Sequence, residues 1–260
     1  MRTIAIMNNK GGVGKTVTAI NLADILVRDH GKKVVVVDCD GQRNASRFLL
    51  PNTNLEDVIT VRDLLLGEGE PLWDDNVQEV SEDFLLLPST PALYRLDVAA
   101  IMGNPEERQA VHIKALRDFR MAIEEDGSID FLLFDCPPGF TTSSCAALLA
   151  ASEVIIPMVM DGFNFDGITD MEEQIASMRE ANADIRITGV LINQWHNAEV
   201  VHQGEKLVRS LGVSVFGTVI RRTDKVPEST FDRSPIVSYS PGSAASQDYR
   251  SWVNDLLGEV

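Results

Sequence analysis

With 260 residues, 44% of them apolar and 24% charged, the chain has enough material for a full hydrophobic core and an ordinary composition that excludes a disordered or fibrous protein. Acidic side chains outnumber basic ones 39 to 23, and the resulting net charge of −16 repels polyanions and anionic membrane surfaces at long range, so any nucleic-acid contact has to be a local patch. Cys39, Cys136 and Cys145 have no paired spacing, which argues against a zinc site or a disulfide framework, and no run approaches the roughly 18 apolar residues of a membrane span.

The excess of acid reads as a solvated, solubilising surface or, alternatively, as an adaptation to a basic partner. Residues 1–8 lack the basic start and long apolar stretch of a signal peptide. Together with the unpaired thiols this leads us to expect a cytoplasmic protein, arranged as one domain over residues 1–260.

In chain order, Thr3–Met7 reads as a buried strand and Thr16–Arg28 as a helix with apolar residues at three- and four-residue steps. Val34–Val37 is a second strand. Residues Pro51–Asp83 combine Pro51, Gly67, Gly69 and Pro71 with many acids, have no strong period, and read as an insertion holding one short helix near Val61–Leu66. Beyond it, Phe84–Leu87, Phe131–Phe134, Val154–Pro157 and Ile187–Ile192 read as strands, and Arg108–Glu124, Asp166–Glu180 and Glu199–Leu211 as helices. Pro235–Ser246 reads as a loop leading into a last helix, Gln247–Leu257. Alternation of this kind predicts an α/β fold with a doubly wound, mostly parallel sheet flanked by helices.

The most informative segment is Asn8-Asn9-Lys10-Gly11-Gly12-Val13-Gly14-Lys15-Thr16, which directly follows the first strand and directly precedes the first helix. In that setting a glycine-rich turn becomes an anion site: Gly11, Gly12 and Gly14, with Val13 between them, let consecutive backbone amides face a phosphate, and the helix start, through Thr16 and Val17, adds its own N–H groups. Lys15 supplies a compact charge for β/γ-phosphate oxygens and Thr16 a hydroxyl for Mg²⁺. The strict pattern wants glycine where Asn9 stands, and Lys10 is a second lysine beyond what one nucleotide needs. Two acidic segments complete the picture. Val37-Asp38-Cys39-Asp40-Gly41-Gln42 puts two carboxylates at a strand end, and Leu133-Phe134-Asp135-Cys136-Pro137-Pro138 closes an apolar run with one, as expected of an acid that holds magnesium. Asp38 has the alternative role of a turn cap. The four histidines lie outside these segments.

Lys10-Gly-Gly-Val-Gly-Lys-Thr16 resembles the deviant Walker A motif of the ParA/MinD family of phosphate-loop ATPases. The resemblance implies a Mg-dependent ATPase in which Lys10 reaches across an ATP-bound homodimer to the facing nucleotide. The segment Asp38–Gln42 resembles the family motif Asp-x-Asp-Pro-Gln, with Gly41 in place of proline, which assigns Asp40 to the attacking water and Asp38 to the magnesium shell. Asp135-Cys-Pro-Pro138 matches the family's Asp-x-Pro-Pro. Asn193, at the end of Leu191-Ile192-Asn193, resembles the family's adenine-contacting asparagine, the alternative being a cap on the segment that follows. The closing stretch, Thr218–Glu228 and Ser234–Pro241, is similar to that of ParA partition ATPases, so the likeness covers nearly the whole chain. Asp255 and Glu259 near the end argue against the basic membrane-gripping tail of the MinD branch. A ParA-type protein would bind ATP and Mg²⁺, dimerise, respond to a ParB-like partner and bind DNA without sequence preference, here through Arg221, Arg222, Lys225 and Arg233, residues that could equally neutralise an acidic neighbourhood. The competing expectation is a positioning ATPase or scaffold that locates a protein cargo without touching DNA.

Overall fold

A computed structural model describes residues 1–102, 111–160 and 164–258. Its centre is a seven-stranded sheet in the order β3-β4-β2-β5-β1-β6-β7. The strands are β1 (Arg2–Ile6), β2 (Val34–Asp38), β3 (Gln78–Ser81), β4 (Phe84–Leu87), β5 (Phe131–Asp135), β6 (Glu153–Val159) and β7 (Arg186–Asn193). All neighbouring pairs are parallel except β3 with β4.

The strands are nearly unbroken apolar runs because both sheet faces are covered. Successive side chains point to opposite faces, so Val35 and Val37 of β2 enter one core while Val34 and Val36 enter the other. Against the second face pack α1 (Lys15–His30), α10 (Ile236–Tyr239) and α11 (Ala244–Leu257), with Leu22, Leu26, Tyr249 and Trp252 fully buried. The first face is covered by α3 (Val61–Leu65), α5 (Ala115–Asp126), α6 (Thr142–Ala150), α7 (Asn164–Met178) and α8 (Glu199–Ser210). Three further helices, α2 (Asn44–Leu49), α4 (Tyr94–Met102) and α9 (Lys225–Asp232), lie on connections at the carboxyl ends of the strands.

The six expected strands are all present, each at or within two residues of its expected limits. The segment 51–83 also contributes a strand that its sequence does not announce. Gln78–Ser81 alternates half-buried and exposed, as an edge strand covered on one face only must, and four residues are too few for that period to stand out. The expected loop 235–246 contains α10, whose Ile236 and Val237 are buried, and the last helix starts at Ala244 because the Ser243 side chain accepts from the Ser246 N–H. Residues 108–110 of the expected helix 108–124, together with Glu259 and Val260, lie outside the described residues.

The topology decides where a ligand can go. β1 and β2 both pair with β5, in a register that sets Ile6 and Asp38 level with Asp135. The connection from β1 runs to β2 on one side, whereas the connection from β5 crosses to β6 on the far side of β1, so the chain leaves these two adjacent strands in opposite directions and opens a crevice at the carboxyl edge of the sheet.

Candidate functional site

Into that crevice projects the glycine-rich loop between β1 and α1. Asn8 pins its start, accepting from the Lys10 N–H at 2.9 Å and donating to the Pro157 carbonyl at 2.8 Å. Gly12 and Gly14 have φ of 77° and 91°, the left-handed region that side chains avoid, and a Cβ at Gly14 would also collide with the Asn193 side chain. The loop's carbonyls are taken up: Lys10 O by Lys15 Nζ at 2.7 Å, Gly12 O by Gln194 Nε2 at 3.0 Å, and Val13 O by Asn193 Nδ2 at 3.1 Å. The N–H groups of the first turn of α1, by contrast, have no acceptor within their own helix. This polarity suits an anion.

Beneath the loop stand two buried carboxylates. Asp38, fully buried, accepts from the Ser46 N–H at 2.8 Å, the Ser46 hydroxyl at 2.6 Å and the Asp40 N–H at 3.1 Å. Asp135, equally buried on the neighbouring strand, has neither oxygen in a hydrogen bond among the described residues. Burial raises the Asp135 carboxyl well above the usual range and the Asp38 charge adds to this, while the Thr16 hydroxyl and the Lys15 ammonium work against it. Burial raises Asp38 as well, against the Ser46 and Asp40 hydrogen bonds. Lys15 is buried and its ammonium is shifted down by that burial, with Asp135, Cys136 and Asp40 opposing the shift. An orphaned buried carboxylate next to a threonine hydroxyl fits a hard divalent cation, whose oxygen ligands are of this kind.

Asp40 is 7% exposed, and its Oδ1 accepts from the Gln42 N–H at 2.9 Å and the Tyr94 hydroxyl at 3.0 Å. Burial and the Asp40 charge push the Tyr94 phenol up to about 12. A cavity of 550 Å³ runs from Gly11, Lys15 and Thr16 past Asp40 to Asn193 and Arg222. It therefore brings together the residues expected of phosphate binding, water orientation and base recognition, with Asp38 and Asp135 below its floor.

The expected basic residues of the closing stretch are less uniform. Arg221 pairs with Asp248 and Lys225 with Glu228, whereas Arg222 and Arg233 are exposed and stand in no ion pair among the described residues. Lys10 is half-buried at the rim of the loop. Asn193 sits against the phosphate loop, its Oδ1 accepting from the Gln194 N–H at 2.9 Å. Sequence reasoning passed over Asn8, Ser46, Tyr94 and Gln194. Ser46 lies eight positions from Asp38, Tyr94 lies 54 from Asp40, and Gln194 lies 182 from Gly12, so local pattern carries none of these pairings. Gln194 alone leaves a backbone trace, a φ of 52° that is uncommon outside glycine.

A doubly wound parallel sheet with a glycine-rich loop between its first strand and first helix is the fold of the phosphate-loop nucleotide hydrolases. A family model described as an AAA domain matches residues 1–187. The chromosome-partitioning ATPase Soj of Thermus thermophilus is 32% identical over 263 residues, covering 100% of this chain and 97% of that protein. The chromosome partitioning protein ParA of Caulobacter vibrioides is 31% identical, covering 99% and 94%. Among solved structures, the septum site-determining protein MinD of Pyrococcus horikoshii, complexed with Mg-ADP, superposes with a TM-score of 0.74 at 25% identity, covering 98% of this chain and 95% of that one. The chain belongs to the ParA/MinD family of ATPases.

Proposed function

We propose that this protein is a cytoplasmic ParA-type partition ATPase: it binds Mg-ATP in the 550 Å³ cavity, closes as a homodimer, and hydrolyses ATP when a ParB-like protein engages it. The observation that carries the ATPase reading is the pair of unpartnered, fully buried oxygens on Asp135 beneath a loop whose carbonyls are already bonded elsewhere. Such a site is costly until a cation and an anion occupy it together.

In this reading the backbone amides of Gly11 to Thr16, with Val17 in the same helical turn, cradle the phosphates and Lys15 releases the Lys10 carbonyl to meet them. Thr16, Asp38 and Asp135 hold Mg²⁺, which when bound neutralises charge on the phosphate oxygens. Asp40 orients the attacking water for in-line displacement, and Lys10 reaches the nucleotide of the facing subunit to offset charge on the transferring group. Asn193 reads the adenine edge with the amide capacity left over from its bonds to Val13 and Gln194. DNA is held without sequence preference, with Arg222 and Arg233 as the principal contacts among the four candidate cations.

Light scattering tests the switch: the wild type should double in mass with Mg-ATP, and Lys10→Ala should weaken that change. Equal masses in every condition would remove the sandwich mechanism. A second reading, a positioning ATPase for a protein cargo without DNA binding, is favoured by the charge of −16 and by the ion pairs that occupy Arg221 and Lys225. DNA binding with ATP at two salt concentrations separates the two, since phosphate contacts demand a steep salt dependence.

A further inference from the structure

The Asp40 loop carries a feature that its own sequence does not encode. Gly41 follows Asp40, and the face of its backbone is covered by the aromatic ring of Tyr94, the first residue of α4. A Cβ built at Gly41 would fall 2.8 Å from Tyr94 Cε2 and 2.9 Å from Cζ, closer than such atoms approach. The ring can lie there only because residue 41 has no side chain. A proline, which the resembling motif carries at this position, would push the ring off.

From that seat the Tyr94 hydroxyl donates to Asp40 Oδ1 at 3.0 Å, the same oxygen that accepts from the Gln42 N–H at 2.9 Å. Both donors land on one oxygen, which fixes the plane of the carboxylate and leaves Oδ2 to accept from a water. Tyr94 is 41% exposed, and the helix that carries it is anchored. Leu93 and Leu96 on either side of Tyr94 are buried at 3% and 7% exposure, and Asp97 Oδ1 accepts from the Thr142 N–H at 2.7 Å, at the start of the helix that follows the Asp135 loop. One short helix thus holds the Asp40 side chain through Tyr94 and the loop beyond Asp135 through Asp97.

We propose that Tyr94 is a positioning residue for ATP hydrolysis: seated over Gly41, its hydroxyl orients the Asp40 carboxylate so that Oδ2 faces the attacking water. This rests on the assignment of Asp40 to that water. Nothing in the role calls for contact between Tyr94 and nucleotide, so it predicts an effect on turnover and not on binding. A water-orienting carboxylate tolerates little misplacement, since an error of about 1 Å costs on the order of a hundredfold in rate.

The test is phosphate release at saturating Mg-ATP by the full chain carrying Tyr94→Phe, Gly41→Ala, Asp40→Asn, and the Tyr94→Phe/Asp40→Asn pair, with a fluorescent ATP analogue reporting affinity and thermal denaturation reporting the fold. Tyr94→Phe keeps the ring and removes only the donor; it should lower kcat about tenfold or more and leave nucleotide affinity within about twofold. Gly41→Ala, which displaces the ring with its hydroxyl intact, should lower kcat similarly. In the Asp40→Asn background Tyr94→Phe should cost nothing further, because the two act through one group. If Asp40→Asn is impaired while Tyr94→Phe turns over like the wild type, or if the losses add, Tyr94 is only a packing residue and the proposal is overturned. If Asp40→Asn itself turns over normally, the assignment of Asp40 falls first and Tyr94 falls with it.

Discussion

Arg221 lies along Asp248, donating from Nη2 to Oδ1 at 2.7 Å and from Nε to Oδ2 at 2.9 Å, while its own backbone N–H donates to Oδ2 at 2.9 Å. A single carboxylate on α11 therefore ties down both the side chain and the main chain of the segment that borders the nucleotide cavity. This gives Arg221, itself exposed, an ion pair that Arg222 and Arg233 lack among the described residues. Arg221→Ala is expected to lower stability by about 1 kcal/mol in chemical denaturation and to leave the salt slope of DNA binding unchanged. Arg222→Ala and Arg233→Ala should each flatten that slope by about one charge. A flattening by Arg221→Ala equal to theirs would mean that the ion pair opens for phosphate.

Gly14 combines a φ of 91° with the Asn193 amide packed against it. Gly14→Ala forces a left-handed alanine and displaces Asn193, so it should cost about 1–3 kcal/mol of folding stability. It should also abolish binding of Mg-ATP, read as the loss of the nucleotide-dependent rise in melting temperature. Retained binding would show that the loop needs neither the conformation nor the space.

Asp135 is a buried acid whose oxygens have no hydrogen-bond partner among the described residues, and removing its charge should help the empty protein while destroying its function. Asp135→Asn is expected to raise stability at neutral pH in EDTA by about 1 kcal/mol or more and to lose the extra stabilisation that Mg²⁺ adds to ATP. Lower stability in EDTA would count against an orphaned carboxylate.

Glu153 sits at the opposite end of the sheet, where its Oε1 and Oε2 accept from Arg2 at 2.9 and 2.8 Å and Oε2 accepts from the Thr188 hydroxyl at 2.8 Å. Burial alone would raise this carboxyl, but the Arg2 and Thr188 hydrogen bonds and the charges of Arg2 and Arg186 bring it below its ordinary value of 4.5. The folded state therefore holds this proton less tightly than the unfolded chain, so the contribution of the cluster is complete above pH 4.5 and is lost as pH falls below it. In urea titrations Glu153→Gln should be less stable than wild type at neutral pH, and the gap should narrow as the pH drops below that value. A gap constant with pH would assign the loss to packing.

Cys39 and Cys136 are fully enclosed, and burial pushes both thiols up, with neighbouring acids adding to the effect. Neither should react with iodoacetamide at neutral pH in the folded protein, whereas all three cysteines should react in denaturant, as mass spectrometry would read. Alkylation of Cys39 under native conditions would require opening of the strand end that carries Asp38.

The strands with both faces buried were legible because a covered parallel strand has to be apolar at every position, and the phosphate loop because its glycines and lysine stand in fixed order between a strand and a helix. The edge strand Gln78–Ser81 and the short helix Ile236–Tyr239 were not, since each takes its form from what it packs against and carries too few residues to show a period.

By itself, then, the amino-acid order determined six of the seven strands, the loop and the identity of the acids at the strand ends, all features that show within a short stretch of sequence. Only the tertiary structure decided that Asn193 and Gln194 hold the loop's carbonyls, that Asp248 occupies Arg221, and that Tyr94 rests on Gly41 to reach Asp40. Each of those relations joins residues far apart in sequence, and only the path of the chain through the sheet brings them within the few ångströms over which a hydrogen bond acts.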